Sequence, residues 1–153
     1  MADKKKVLIL SVRAGAGHIR AAQAVEERIR AASPGTEVRH IDVLSFANPV
    51  FAKNFASSYE TIAKSLPSAW GLIYNAFEDR IFEKNVKRVS ALFDTFNVRP
   101  LLREIRTLDP DEIICTHYLP AEALAPLRRR GKLRSRLSVV ITDYDVHTIW
   151  LQE

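Results

Sequence analysis

Residues 6–22 read Lys6-Val7-Leu8-Ile9-Leu10-Ser11-Val12-Arg13-Ala14-Gly15-Ala16-Gly17-His18-Ile19-Arg20-Ala21-Ala22, and the order of residue types in this run decides the fold. Lys6 to Ser11 is a short continuous apolar stretch, the pattern of a strand buried on both faces. A loop carrying Gly15 and Gly17 follows. From Ile19 to Ala31, apolar residues recur at Ala21, Ala22, Val25 and Ile29, while Glu26, Glu27, Arg28 and Arg30 turn outward, which predicts an amphipathic helix. Ser33-Pro34-Gly35 breaks it. Thr36 to Asp42 alternates as a second strand with Val38 and Ile41 inward. A strand, a helix and a strand close most naturally as a parallel pair through a right-handed crossover.

The same rhythm returns beyond Pro100. Leu101 to Leu108 reads as a helix, Asp111 to Thr116 as a third strand, Pro120 to Arg130 as a helix and Leu137 to Thr142 as a fourth strand. The expected class is α/β, a Rossmann-like parallel sheet of about four or more strands. Between strands two and three lies a helical insertion. Ten of the thirteen aromatic residues fall between Phe46 and Phe96, so aromatic burial is concentrated there. Phe51, Phe55, Tyr59, Ile62 and Leu66 share one helical face; Trp70, Ile73, Tyr74 and Phe77 share another, as do Phe82, Val86, Val89, Phe93 and Phe96. The insertion far exceeds the dozen or so residues that a crossover requires. Long insertions at the edge of such a sheet commonly build binding surfaces.

At 153 residues the chain has the length of one domain. Its 47% apolar and 27% charged content excludes wholesale disorder, collagen-like and coiled-coil sequence. A single cysteine, Cys115, excludes an internal disulfide framework and suits a reducing compartment. Lys4-Lys5-Lys6 is followed by too short an apolar run for a secretory signal, and no segment approaches the ~18 apolar residues of a membrane-spanning helix. The expected location is therefore cytoplasmic. The net charge is +5, with six cations packed into residues 128–136: Arg128, Arg129, Arg130, Lys132, Arg134 and Arg136. This cluster suits an anionic membrane surface, or else it is a solvated helix end with Gly131 as its stop. It has no interleaved aromatics, so nucleic acid is not an expected partner.

In open parallel sheets the ligand crevice lies beyond the carboxyl ends of the strands. Those ends carry Ser11, Arg13, Gly15, Gly17 and His18; then Asp42; then Thr116, His117 and Tyr118; then Thr142, Asp143, Asp145, His147 and Trp150. The glycine loop permits a tight turn with free amides facing an anion or an oxygen-rich ligand. It lacks the third glycine of the dinucleotide fingerprint, whose place Arg20 takes, although Asp42 stands where a ribose acid would. The Gly-Lys-Ser/Thr of a phosphate loop is missing, and so is a Gly-x-Ser-x-Gly elbow. His18, at the helix entry beside glycines, reads as exposed to the crevice and titratable near neutrality. It is either a general base or a residue that caps and packs the helix start. Asp143-Tyr144-Asp145 with His117 and His147 is too weak a pattern to assign a metal. Cys115 reads as a small core thiol rather than a nucleophile.

Val7 to Ser11 followed by Gly15-Ala16-Gly17-His18-Ile19-Arg20-Ala21-Ala22 resembles the opening of the monogalactosyldiacylglycerol synthases and bacterial diacylglycerol glucosyltransferases. Thr142-Asp143-Tyr144-Asp145-Val146-His147-Thr148-Ile149-Trp150 is similar to that family's second signature. The resemblance implies the amino-terminal lobe of a GT-B-type inverting glycosyltransferase, which holds a lipid acceptor at the membrane. It implies UDP-sugar as co-substrate, bound mainly by a carboxy-terminal donor lobe, with no catalytic metal or other cofactor. By the same resemblance His18 is the general base. Asp143, His147 and Trp150 lie near acceptor or anionic lipid, joined by Gly15 and Gly17 of the loop. A greasy acceptor such as diacylglycerol also suits Phe51, Phe55, Tyr59 and Trp70 as contacts, where the alternative is an ordinary helical core.

Residues 1–153 thus read as a single acceptor-binding domain without its donor lobe, peripheral to the membrane and inactive alone. The contrasting function class is a non-catalytic Rossmann-like domain that binds a nucleotide or an anionic lipid, motivated by Gly15, Gly17 and the basic cluster.

Overall fold

The computed structural model describes residues 4–50, 52–55, 98–143 and 150. Strand β1 (Lys6–Ser11) leads through α1 (Gly17–Ala32) to β2 (Glu37–Asp42), and a short 3-10 turn (Val43–Phe46) follows. Residues 49–50 and 52–55 are helical. The chain resumes with α2 (Val98–Leu108), β3 (Glu112–Cys115), α3 (Tyr118–Arg129) and β4 (Arg136–Val139). The greater part of the expected helical insertion lies outside the described residues, and with it Phe51, Tyr59 and Trp70.

Among the described residues all the strand pairings are parallel, in the order β2-β1-β3-β4. The α/β class and the parallel sheet expected from the sequence are what the molecule adopts. β1 steps one way to β2, and the chain then crosses back over β1 to form β3 and β4 on the other side. Right-handed crossovers that step in opposite directions put their helices on opposite faces of the sheet. The alternation along β1 shows this: Leu8 and Leu10 join a core with Leu101 and Ile105 of α2 and Leu119 and Leu124 of α3. Val7 and Ile9 pack on the other face with Ala22 of α1 and Val38, flanked by Val25 and Ile29.

Because both its faces are covered, β1 is apolar from Val7 to Leu10, and Ile9 and Leu10 are each 0% exposed. Each such side chain contributes roughly 1.5–3 kcal/mol by leaving water. β4 differs. It is shorter than the Leu137–Thr142 reading, and Leu137, Ser138 and Val139 are only half-buried. Hydrogen bonding continues just past it, from Val140 N–H to the Cys115 carbonyl at 2.8 Å. Ile141 stands 40% exposed.

The reversal of strand direction about β1 fixes where a ligand can sit. β1 and β3 are neighbours whose following segments diverge to opposite faces, and the crevice of such a sheet opens between their carboxyl ends. Gly15 there takes φ +77°, a left-handed conformation that glycine adopts without strain.

The cationic run at 128–136 lies at the opposite end. α3 stops at Gly131, which has φ +66°, and Lys132 N–H bonds back to the Leu127 carbonyl. Arg128 bonds the Ser135 carbonyl at 2.8 Å, while Arg129 and Arg130 are exposed. Of the two readings of this run, the helix-end geometry matches the solvated stop.

Candidate functional site

His18 is the second residue of α1, whose amino terminus has no side-chain cap. The residue is 9% exposed, so it is buried rather than open as its place beside glycines suggested. The burial comes from β3. The Thr116 hydroxyl donates to the His18 carbonyl at 2.9 Å, and the His18 Nδ1 lies 2.9 Å from the Thr116 carbonyl oxygen. These reciprocal bonds pin the first turn of α1 to the end of β3. His117 then packs edge-on against His18, ring centroids 4.5 Å apart.

The first of these contacts decides the tautomer. A carbonyl oxygen only accepts, so Nδ1 carries the proton and Nε2 keeps its lone pair. Among the described residues no group hydrogen-bonds Nε2. Burial holds the His18 pKa below its ordinary value, partly offset by the Thr116 hydrogen bond and the nearby Asp143 carboxylate. The imidazole is therefore neutral at pH 7, the protonation state a base needs.

His117 stands just past the end of β3, where the sequence placed it. It caps α3, its Nδ1 accepting from Leu119 N–H at 3.0 Å, so this neutral ring carries its proton on Nε2. Burial, followed by proximity to His18, pushes its pKa well below the ordinary value. Tyr118 lies against it at 4.4 Å, and burial together with Glu122 and Asp143 pushes the phenol up to about 12. Phe55, half-buried, approaches the His117 ring edge-on at 6.4 Å.

The segment after β4 closes the site. The Thr142 hydroxyl lies 2.8 Å from His18 Nδ1. Trp150, 4% exposed, donates its indole N–H to Asp143 at 2.8 Å and meets Tyr118 at 6.2 Å. His18, Thr142, Asp143, Trp150, Tyr118 and His117 thus form a ring of consecutive contacts or chain neighbours. The structure brings together His18, Asp143, Trp150 and Phe55 of the sequence-derived candidates. His147 lies outside the described residues, as does Asp145. Gly17 opens α1, and a Cβ built on it meets nothing within 4 Å.

Thr116 and Thr142 were legible only as polar residues at strand ends. What distinguishes them is hydrogen bonding across more than ninety residues, which no local pattern carries. Asp42, by contrast, is occupied: one oxygen accepts from Leu44 N–H and Arg13 N–H at 3.2 Å, and the other pairs with the Arg13 guanidinium at 3.3 Å. It caps the 3-10 turn, a structural use for the residue placed like a ribose acid. Cys115 is fully buried, and burial drives its pKa up, as a core thiol requires. Among the described residues no three His, Cys, Asp or Glu side chains group as metal ligands, and no helix is long and apolar enough to cross a membrane.

The chain is 29% identical over 155 residues to the processive diacylglycerol beta-glucosyltransferase of Bacillus cereus (strain 03BB102), covering 99% of this chain and 37% of that protein. It is 30% identical over 156 residues to the protein of the same name from Bacillus mycoides (strain KBAB4), with the same coverage. The chain spans only 37% of the length of these relatives. No solved structure matches. The sequence profile of the family described as monogalactosyldiacylglycerol (MGDG) synthase matches residues 18–153, from the buried imidazole to the last residue. By that match, the chain belongs to the monogalactosyldiacylglycerol synthase family.

Proposed function

We propose that residues 1–153 form the acceptor-binding lobe of an enzyme that transfers a hexose from a UDP-sugar to diacylglycerol or a related lipid, with His18 as general base. The supporting observation is the Nδ1 contact: the Thr116 carbonyl accepts a hydrogen bond from Nδ1–H at 2.9 Å, which leaves the Nε2 lone pair able to receive a proton. In the step itself, Nε2 takes the proton of the acceptor hydroxyl as that oxygen bonds to the anomeric carbon. The bond from that carbon to the diphosphate breaks, and its electron pair leaves with UDP. The imidazolium then holds the proton until solvent removes it. No resident metal or other cofactor enters this reading. The donor is held mainly by a second lobe, and the lobe described here meets its lipid at an anionic membrane surface from the cytoplasmic side. Gly15, Gly17, Asp143 and Trp150 line the approach, with Phe55 behind His117.

The test is turnover of the full-length protein with diacylglycerol vesicles and UDP-hexose. His18→Ala should lower kcat by ~10²–10⁴, the usual contribution of a positioned base. Turnover near wild type in that variant removes His18 from the role.

A further inference from the structure

The second family signature is expected to touch lipid, yet its first residue touches the base. The Thr142 hydroxyl sits 2.8 Å from the same His18 nitrogen that faces the Thr116 carbonyl. Since that nitrogen is protonated, the Thr142 oxygen is a second acceptor for one N–H. Next to it, Asp143 is held by the Trp150 indole, which is itself buried against Tyr118. We propose that Thr142, with Asp143 fixed by Trp150, is a positioning element for His18: it aims the ring, keeps the lone pair on Nε2 and stabilises the imidazolium as it forms.

When Nε2 gains a proton the ring becomes a cation in a site that burial has made poor in water. Its Nδ1–H then bonds more strongly to both oxygens, because hydrogen bonds from charged donors are about twice as strong as neutral ones. The Asp143 carboxylate favours the same charged form. Among the described residues, the ionisable groups that face the ring are His117 from the start of α3 and Asp143 from the segment after β4, with Tyr118 behind His117. Of these, only the Asp143 carboxylate favours the cation; Tyr118 stays neutral. The segment after β4 thus supplies what the rest of the pocket withholds.

This inference rests on His18 being the base, and the experiment separates the two. The full-length protein carrying isotope-labelled histidine is titrated by NMR as wild type, Thr142→Val, Thr142→Ser and Asp143→Asn, and the pH profile of kcat/KM is measured for each. Thr142→Val, which keeps the shape and removes the hydroxyl, should lower the His18 pKa. It should move the acidic limb of kcat/KM to lower pH by the same amount, and cut kcat about tenfold, the scale of one hydrogen bond to a charged group. KM for the acceptor should hold. Thr142→Ser should restore all three. Asp143→Asn should move the titration in the same direction with the hydroxyl intact, and it stands in if the valine variant does not fold. An unmoved titration and pH limb in Thr142→Val and Asp143→Asn overturn the positioning role, even where His18→Ala abolishes turnover. A titration that moves as stated while His18→Ala stays active upholds the coupling and overturns the base.

Discussion

The two ends of the sheet carry their polar residues in opposite ways. At the amino end, Lys5 pairs with Glu112 at 3.2 Å and Arg30 with Glu26 at 2.8 Å, all on side chains that solvent reaches. Exposed pairs of this kind contribute about 0–1 kcal/mol. At the carboxyl end, Thr116, His117 and His18 are buried and committed to one another. The amino end has more charge, and the carboxyl end has more chemistry. Water explains the difference: it screens the first set and has been excluded from the second, so each bond there fixes a proton or a ring.

The contrast is most exposed to acid. The unfolded chain binds protons at His18 and His117 below the ordinary value of 6.5, whereas burial keeps the folded rings neutral to lower pH. The unfolded state then holds more protons, so stability is full above 6.5 and falls as pH drops below it. The slope approaches about 1.4 kcal/mol per pH unit for each ring while its folded form stays neutral. Thermal melting from pH 7 to pH 5 should show this loss, and His117→Asn should lessen it. A flat melting temperature across that range breaks the comparison.

Thr116→Val comes next. It leaves the buried His18 carbonyl without its hydroxyl partner and should cost about 1–3 kcal/mol in denaturant unfolding. A smaller shift belongs to His117→Asn in the catalytic profile. Asparagine still caps α3, but water reaches the side of His18 that the lost ring covered. The His18 pKa should rise and carry the acidic limb of kcat/KM to higher pH. The smallest effects belong to the amino end. Lys5→Ala, or Arg129→Ala with Arg130→Ala, should change unfolding free energy by no more than about 0.5 kcal/mol. Sedimentation with anionic liposomes should also survive the double arginine change, because that cluster lies at the far end of the sheet from His18. Loss of binding would place the membrane contact there instead.

The sequence made the sheet easy to read and the site hard. β1 spans the residues its apolar run marked, since a strand covered on both faces has no choice of composition. β4 was read three residues too long because Val140-Ile141-Thr142 continues the same apolar pattern, while pairing with β3 ends at Val139. At the site, residue type and strand-end position singled out His18, Asp143 and Trp150. Exposure could not be read the same way. His18 follows two glycines, which suggested an open ring, but what covers it comes from β3 and α3, a hundred residues away. Phe51, Tyr59, Trp70 and His147 fall outside the described residues.

Gly17 has an ordinary backbone angle, and a methyl there would meet no atom within 4 Å. Alanine would also favour the opening turn of α1 by up to about 1 kcal/mol. Neither geometry nor crowding therefore asks for glycine just ahead of the imidazole. By forgoing that methyl the chain keeps naked main chain where the helix begins, at the cost of a slightly softer first turn.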